Sequence, residues 1–198
     1  MYNRWRPDFG GPITAADLDG DGITDLVVGN GPWDSHDGGT IPPPRLRLLK
    51  GTENGLVAGP FTFIAYPDTV SADGIALGDV DADGRSDVVF GRRTAAGGGV
   101  VGVVRGTANG FAARATPIGQ NTAGVPGTAE NGDRFGSRTA VVDGHVAVSA
   151  PGESSGTGAV WVFPGTASGV TATGSVSSGP RTLAALVSGA HCGAAFHR

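Results

Sequence analysis

Apolar residues in this chain come in short bursts, and the bursts alternate with glycine, proline, aspartate and asparagine. "DLVVG", "RLRLLK", "DVVFG", "VVGVV", "HVAVSA" and "AVWVF" are typical, each bounded by turn-forming residues. Bursts of this length, rich in Val and Phe, predict many short strands joined by tight turns. The best helical candidate, "RTLAALVSGA" near residue 185, is too brief to hold a helix. In the first third of the chain the pattern predicts strands near Ile13–Ala16, Leu26–Gly29, Leu46–Lys50 and Phe61–Tyr66.

The pattern repeats. "ITAADLDGDGITDLVVG" is followed by "LRLLKGTENGL" and "FTFIAY"; "IALGDVDADGRSDVVFG" by "VGVVRGTANGF" and "ARATPIG"; "RTAVVDGHVAVSAP" by "AVWVFPGTASGV" and "TATGSV". The shared Gly-Thr turn falls at Gly51, Gly106 and Gly165, spacings of 55 and 59. A period somewhat above about 45 residues with four short strands per unit is the pattern of β-propeller blades, which bury their faces only by stacking on one another. The expected fold is all-β: a single partial propeller of four-stranded antiparallel sheets over residues 1–198. Blade one covers about 9–68, blade two about 71–120 and blade three about 131–177, and about 183–198 start a fourth. Closed propellers have about 4–8 blades, so a fragment or a truncated gene product is expected.

Composition sharpens this in two respects. Glycine (36) and proline (13) together make about a quarter of the chain, yet 39% is hydrophobic, which fits turn-rich sheet rather than disorder. The net charge of −4 hides a local concentration, because eight of the 18 acidic residues lie in two loops. The bases are scattered with no aromatic-interleaved stripe, which argues against a nucleic-acid partner. No apolar run has membrane-spanning length, and "MYNRWRPDFGG" has no apolar core of the kind a secretory signal needs. A single cysteine, Cys192, excludes an internal disulfide framework.

The two acidic loops carry the candidate chemistry. "DLDGDGITD" and "DVDADGRSD" begin 62 positions apart and place aspartates at positions 1, 3, 5 and 9 with glycine at 6. Alternate carboxylates on a tightly wound loop suit a hard cation that takes about 6–8 oxygen ligands, which Ca²⁺ does. The first site would use Asp17, Asp19, Asp21, Asp25 and the carbonyl of Ile23; the second, Asp79, Asp81, Asp83, Asp87 and the carbonyl of Arg85. Gly22 and Gly84 would admit the sharp turn that a side chain obstructs. Zinc is disfavoured by the absence of His and Cys, and Mg²⁺ by the number of protein ligands. Position 12 is Val28 or Phe90 on an expected strand, so these are not EF-hands. Polar turns alone do not call for four clustered carboxylates, which repel by about 1–4 kcal/mol per close pair. The third repeat has only "VDGH"; Asp143 alone cannot hold the ion, and a tight Asp-Gly turn is expected there.

With the acidic loop running into "DLVVG" or "DVVFG", and "RFGSRTAVVDGHVAVSAPGESSGTGAVWVF" in the third copy, the chain resembles the FG-GAP repeat family over about residues 9–175. These repeats build the propeller of integrin α subunits and of bacterial VCBS/FG-GAP proteins. Phe135-Gly136 matches the "FG" element and Ser149-Ala150-Pro151 stands at the "GAP" element. The resemblance implies a seven-bladed propeller with two Ca²⁺ sites here. It also implies a non-catalytic, extracellular or cell-surface adhesion module whose partner is a protein or glycan, with neighbouring blades or self-association covering open faces. The alternative is the propeller portion of a secreted hydrolase or lyase with catalytic residues outside this chain.

Three further features are weaker candidates. "GESSG" matches a nucleophile-elbow pattern at Ser154, but a strand rather than a helix is expected after it. His191, Cys192 and His197 cluster with no acid nearby. Trp33 and His36 sit in a long Pro/Gly loop, more readily a solvated insertion than a ligand-contacting tip.

Overall fold

The computed structural model describes residues 12–29, 45–63, 74–184, 187 and 189–196, and these form fifteen strands in antiparallel sheets. The first sheet is a meander of β1 (Ile13–Ala16), β2 (Asp25–Gly29), β3 (Arg45–Thr52) and β4 (Gly55–Phe63). The second contains β5 (Ile75–Gly78), β6 (Asp87–Arg92), β7 (Val100–Val104) and β10 (Thr116–Ile118), in that order across the sheet. Between the last two, β8 (Gly106–Thr107) and β9 (Gly110–Phe111) form the hairpin tip. The third has β11 (Thr139–Val142), β12 (His145–Ala150) and β13 (Ala159–Thr166), with β14 (Gly169–Val170) and β15 (Val176–Ser178) both paired to β13. Three such sheets in series are the arrangement of an incomplete β-propeller.

One expected strand changes its bounds. The sequence places the fourth strand at residues 61–66, of which 64–66 lie outside the described residues; β4 instead leaves the turn at Gly55, pairing Thr52 with Gly55, and includes Phe63. The reason is the turn itself. Thr52 Oγ1 donates to the Gly55 carbonyl (2.6 Å) and accepts from the Asn54 amide (3.2 Å), closing a two-residue connection. The same hydroxyl does this at Thr166, donating to Gly169 O (2.9 Å) and accepting from Ser168 N (3.2 Å). At Thr107 it accepts from Asn109 N (3.3 Å).

The core lies between sheets. Leu18, Val27, Leu46, Leu48, Val88 and Phe90 are buried in one cluster joining the first and second sheets. Val80, Val89, Val103, Phe135, Val148 and Trp161 are buried in another joining the second and third. Strand β6 therefore feeds both, Val88 and Phe90 facing one way and Val89 the other, as the two-residue period of a strand requires. Gly102, opposite Phe90, leaves room for that ring, which a side chain there would strike. Phe135 packs edge-on to Trp161 (centroids 5.4 Å) and Phe163 (6.2 Å).

The first strands converge: β5 packs against both β1 and β11. A further repeat begins in the same manner as the third. Gly99 bridges Phe135 in parallel, and Gly158 bridges Cys192 in parallel. Arg134 and Gly136 have φ of 59° and 89°; His191 and Gly193 have 44° and 81°.

Candidate metal centre

Each acidic loop joins the first two strands of its sheet. Ala16 pairs with Asp25 and Gly78 with Asp87, so the position-9 aspartate is the first residue of the second strand. Both loops use left-handed backbone at positions 4 and 6: Gly20 (φ 79°) and Gly22 (84°), Ala82 (60°) and Gly84 (83°). A Cβ on Gly22 or Gly84 would meet nothing within 4 Å. The glycines at position 6 are thus needed for their backbone conformation and not, as expected, because a side chain would obstruct the turn.

The wound loop turns its amides onto its own carboxylates. Asp17 accepts from Gly20 N (2.7 Å) and Gly22 N (2.8 Å); Asp19 from Asp21 N (3.3 Å); Asp21 from Ile23 N (2.8 Å). Asp79 accepts from Asp83 N (3.2 Å) and Gly84 N (2.8 Å); Asp83 from Arg85 N (3.0 Å). The structure brings Asp17, Asp19 and Asp21 together, one carboxylate oxygen of each within 4.8 Å of the others, and likewise Asp79, Asp81 and Asp87. Asp25 and Asp83 stand outside these trios.

Asp25 and Asp87 also do something sequence did not suggest. Asp25, wholly buried, accepts from Leu18 N (3.0 Å) in its own loop and from Gly51 N (2.8 Å) in the next hairpin. Asp87 repeats this with Val80 N (3.0 Å) and Gly106 N (2.8 Å). A carboxylate oxygen has lone pairs to spare for a cation after accepting one amide. The glycine of each Gly-Thr turn is therefore pressed onto the loop. A side chain at Gly51 would collide with Thr24 O, and one at Gly106 with Ser86 O.

Three basic residues complete the picture. The Lys50 ammonium contacts Asp19 and lies 3.2 Å from Asp21 Oδ2. The Arg105 guanidinium contacts Asp81 and lies 3.9 Å from Asp83 Oδ2, and Arg85 also pairs with Asp83. From the sequence Lys50 is merely the end of the expected strand Leu46–Lys50, and Arg105 has no assigned role. The available signal was their shared place immediately before the Gly-Thr turn.

Charge and hydrogen bonding set the acidities. The Ile23 amide, then Lys50, holds Asp21 below the usual carboxylate range. Burial pushes Asp79 up, but the amides of Gly84, Asp83, Ala82 and Asp81 outweigh it and leave it low. Burial dominates at Asp87 and pushes it up; the Gly106 and Val80 amides pull it back and the charges of Asp81 and Asp83 add to the rise. Lys50 is held above its usual range by Asp19 and then Asp21.

The third repeat differs as expected. Asp143 (φ 47°) and Gly144 (φ 71°) form a two-residue turn between Val142 and His145, with both residues left-handed.

The remaining candidates are weaker. Ser154 and Ser155 occupy a left-handed turn (φ 51° and 58°) that leads into β13, and Ser154 Oγ donates to Glu153 Oε1 (3.0 Å). No helix follows Ser154 in the way a nucleophile elbow requires. His191 Nδ1 lies 3.2 Å from the Pro151 carbonyl oxygen, and Cys192 is half-buried. Trp33, His36 and His197 lie outside the described residues. Among the described residues no helix is long and apolar enough to cross a membrane.

Residues 9–41 match the family model of the FG-GAP repeat. No curated protein matches the chain.

Proposed function

We propose that this chain, which carries an FG-GAP repeat, is a calcium-stabilised, non-catalytic binding module. The observation that carries the reading is the pair of loops in one register of the repeat, each gathering three carboxylates, with no such loop in the third repeat. The donor set fits a hard cation: carboxylates throughout, with no imidazole or thiolate, and a fully buried Asp81 carboxylate whose Oδ2 has only the Arg105 guanidinium against it. Asp17, Asp19, Asp21 and Asp25 with the Ile23 carbonyl would hold one Ca²⁺. Asp79, Asp81, Asp83 and Asp87 with the Arg85 carbonyl would hold the other. Each ion would supply charge compensation and fix the loop against the Gly-Thr turn.

At an affinity of about 10 μM, mid-range for such sites, millimolar Ca²⁺ would stabilise the fold by roughly 2.7 kcal/mol per ion. Against a total stability of about 5–15 kcal/mol that is a large share. An extracellular setting, where Ca²⁺ reaches that level, and a protein or glycan partner are what the resemblance to FG-GAP repeats implies.

Calorimetric titration of the chain tests this. We expect two ions bound, one lost in Asp19→Asn and one in Asp81→Asn, and no change in Asp143→Asn. Removal of Ca²⁺ should lower the melting temperature, with Mg²⁺ restoring it poorly. A stoichiometry of zero would overturn the reading.

A further inference from the structure

The residue before the Gly-Thr turn is basic in the two repeats with an acidic loop and proline in the third: Lys50, Arg105 and Pro164. The turn glycine fixes where each base starts. Gly51 and Gly106 donate to Asp25 and Asp87 (both 2.8 Å), and neither glycine has room for a side chain against the loop. The base one residue earlier is thereby delivered to the mouth of the loop. Lys50 reaches Asp19 and Asp21; Arg105 reaches Asp81 and Asp83. The Asp81 side chain has no exposed surface, and its Oδ2 accepts no hydrogen bond among the described residues, so the guanidinium against it is its charge partner. Where the acids are missing, so is the base: Pro164 pairs with His145, the residue after the Asp143–Gly144 turn.

We infer that Lys50 and Arg105 are tethered cations, which neutralise the acidic loops before calcium arrives and must swing out when it binds. The inference rests on the calcium reading above. Ca²⁺ needs its oxygens at about 2.3–2.6 Å. An ammonium or guanidinium on the same oxygens is a like charge only a few ångströms away, which a partly buried site does not tolerate. Both side chains have somewhere to go, since Lys50 is 35% exposed and Arg105 46%. The tether acts as an internal competitor. Apparent calcium affinity is reduced by the fraction of time the loop is closed on its own base, so these residues set the calcium level at which the loops fill. They also spare the calcium-free fold the full repulsion of its clustered carboxylates.

Lys50 is the single lysine of the chain, which allows a test on the unaltered protein. Its ammonium, tied between two carboxylates, is shielded from an acylating reagent. We expect Ca²⁺ to raise the acetylation rate of Lys50 several-fold, read by peptide mass spectrometry, and Mg²⁺ at the same concentration to do so far less. In parallel, Lys50→Met and Arg105→Met should each bind Ca²⁺ about tenfold more tightly at one of the two sites, the scale of one unit charge removed at close range. Arg93→Met, which removes an exposed charge elsewhere, should not change either site. Calcium binding that leaves Lys50 acetylation unchanged, or affinities equal in wild type and both variants, overturns the tether while sparing the calcium reading. No binding in any of these proteins overturns both.

Discussion

Asp25 and Asp87 each accept one amide from their own loop and one from the following hairpin, so they fasten the loop whether or not a cation is present. Asparagine in their place would turn an NH₂ toward one of those amides. Asp25→Asn and Asp87→Asn should therefore cost about 1–3 kcal/mol even in metal-free protein, the penalty of a buried donor without an acceptor. Chemical denaturation without Ca²⁺ measures this, and an unchanged midpoint would reduce both residues to ligands only. Asp87 adds a pH signature. Its folded pKa lies above the unfolded value, so its contribution is fully present below the ordinary carboxylate range of about 4 and is lost as pH rises through the raised value. Asp21 and Asp79 are held low and act oppositely, losing their contribution only as pH falls below that range. Metal-free protein should lose melting temperature as pH climbs from about 4 toward neutrality, and Ca²⁺, by holding Asp87 charged, should flatten that fall.

At the scale of the element, turn chemistry decides how each first hairpin is used. The Asp143–Gly144 turn is short because both residues adopt positive φ, and "VDGH" announced this in the sequence. A side chain on Gly144 would meet only ordinary contact, 3.9 Å from Asp79 O, so Gly144→Ala should cost about 1–2 kcal/mol through backbone conformation alone. The same cost should be measured with and without Ca²⁺ by thermal denaturation; a calcium-dependent difference would mean that the third hairpin binds the ion too. The acidic loops were legible in position but not in detail: each joins the first two strands of its sheet as its place in the repeat suggests, yet one gathers Asp17, Asp19 and Asp21 and the other Asp79, Asp81 and Asp87. Strand β4 was not. The run "FTFIAY" is the more strand-like stretch by composition, but the pairing of "GLVA" is imposed by the Thr52 turn, and a bulge between Arg47 and Leu49 breaks the simple alternation. Lys50 and Arg105 escaped notice for a related reason: their role comes from the hairpin folding back on a loop more than twenty residues away in sequence, which no local pattern encodes.

Across the whole molecule, the middle sheet contributes to both core clusters, and its sequence says so: β6 reads Val88, Val89, Phe90 with no polar alternation, all three buried. Its residues should be the costliest to truncate. Phe90→Ala removes a ring that is 1% exposed and should cost about 3–5 kcal/mol, whereas Leu56→Ala on the 51%-exposed edge should stay within about 0.5. The outer sheets are a different matter. Around the third sheet Val142, Val176 and Leu183 are 62%, 56% and 65% exposed, while Gly193 in the segment that opens the next repeat lies so close that a side chain there would strike Ser149 and Val160. In a propeller that face would be covered by a neighbouring blade. Apolar side chains left in water at this position favour association, so the chain should show a weight-average mass that rises with concentration in sedimentation equilibrium, and a melting temperature that rises with it. Val176→Lys should suppress both with little loss of stability in the dilute protein, because that side chain is already 56% exposed. A strictly monomeric chain across the concentration range would mean that these exposed residues are ordinary surface and that the three sheets close their own core without help.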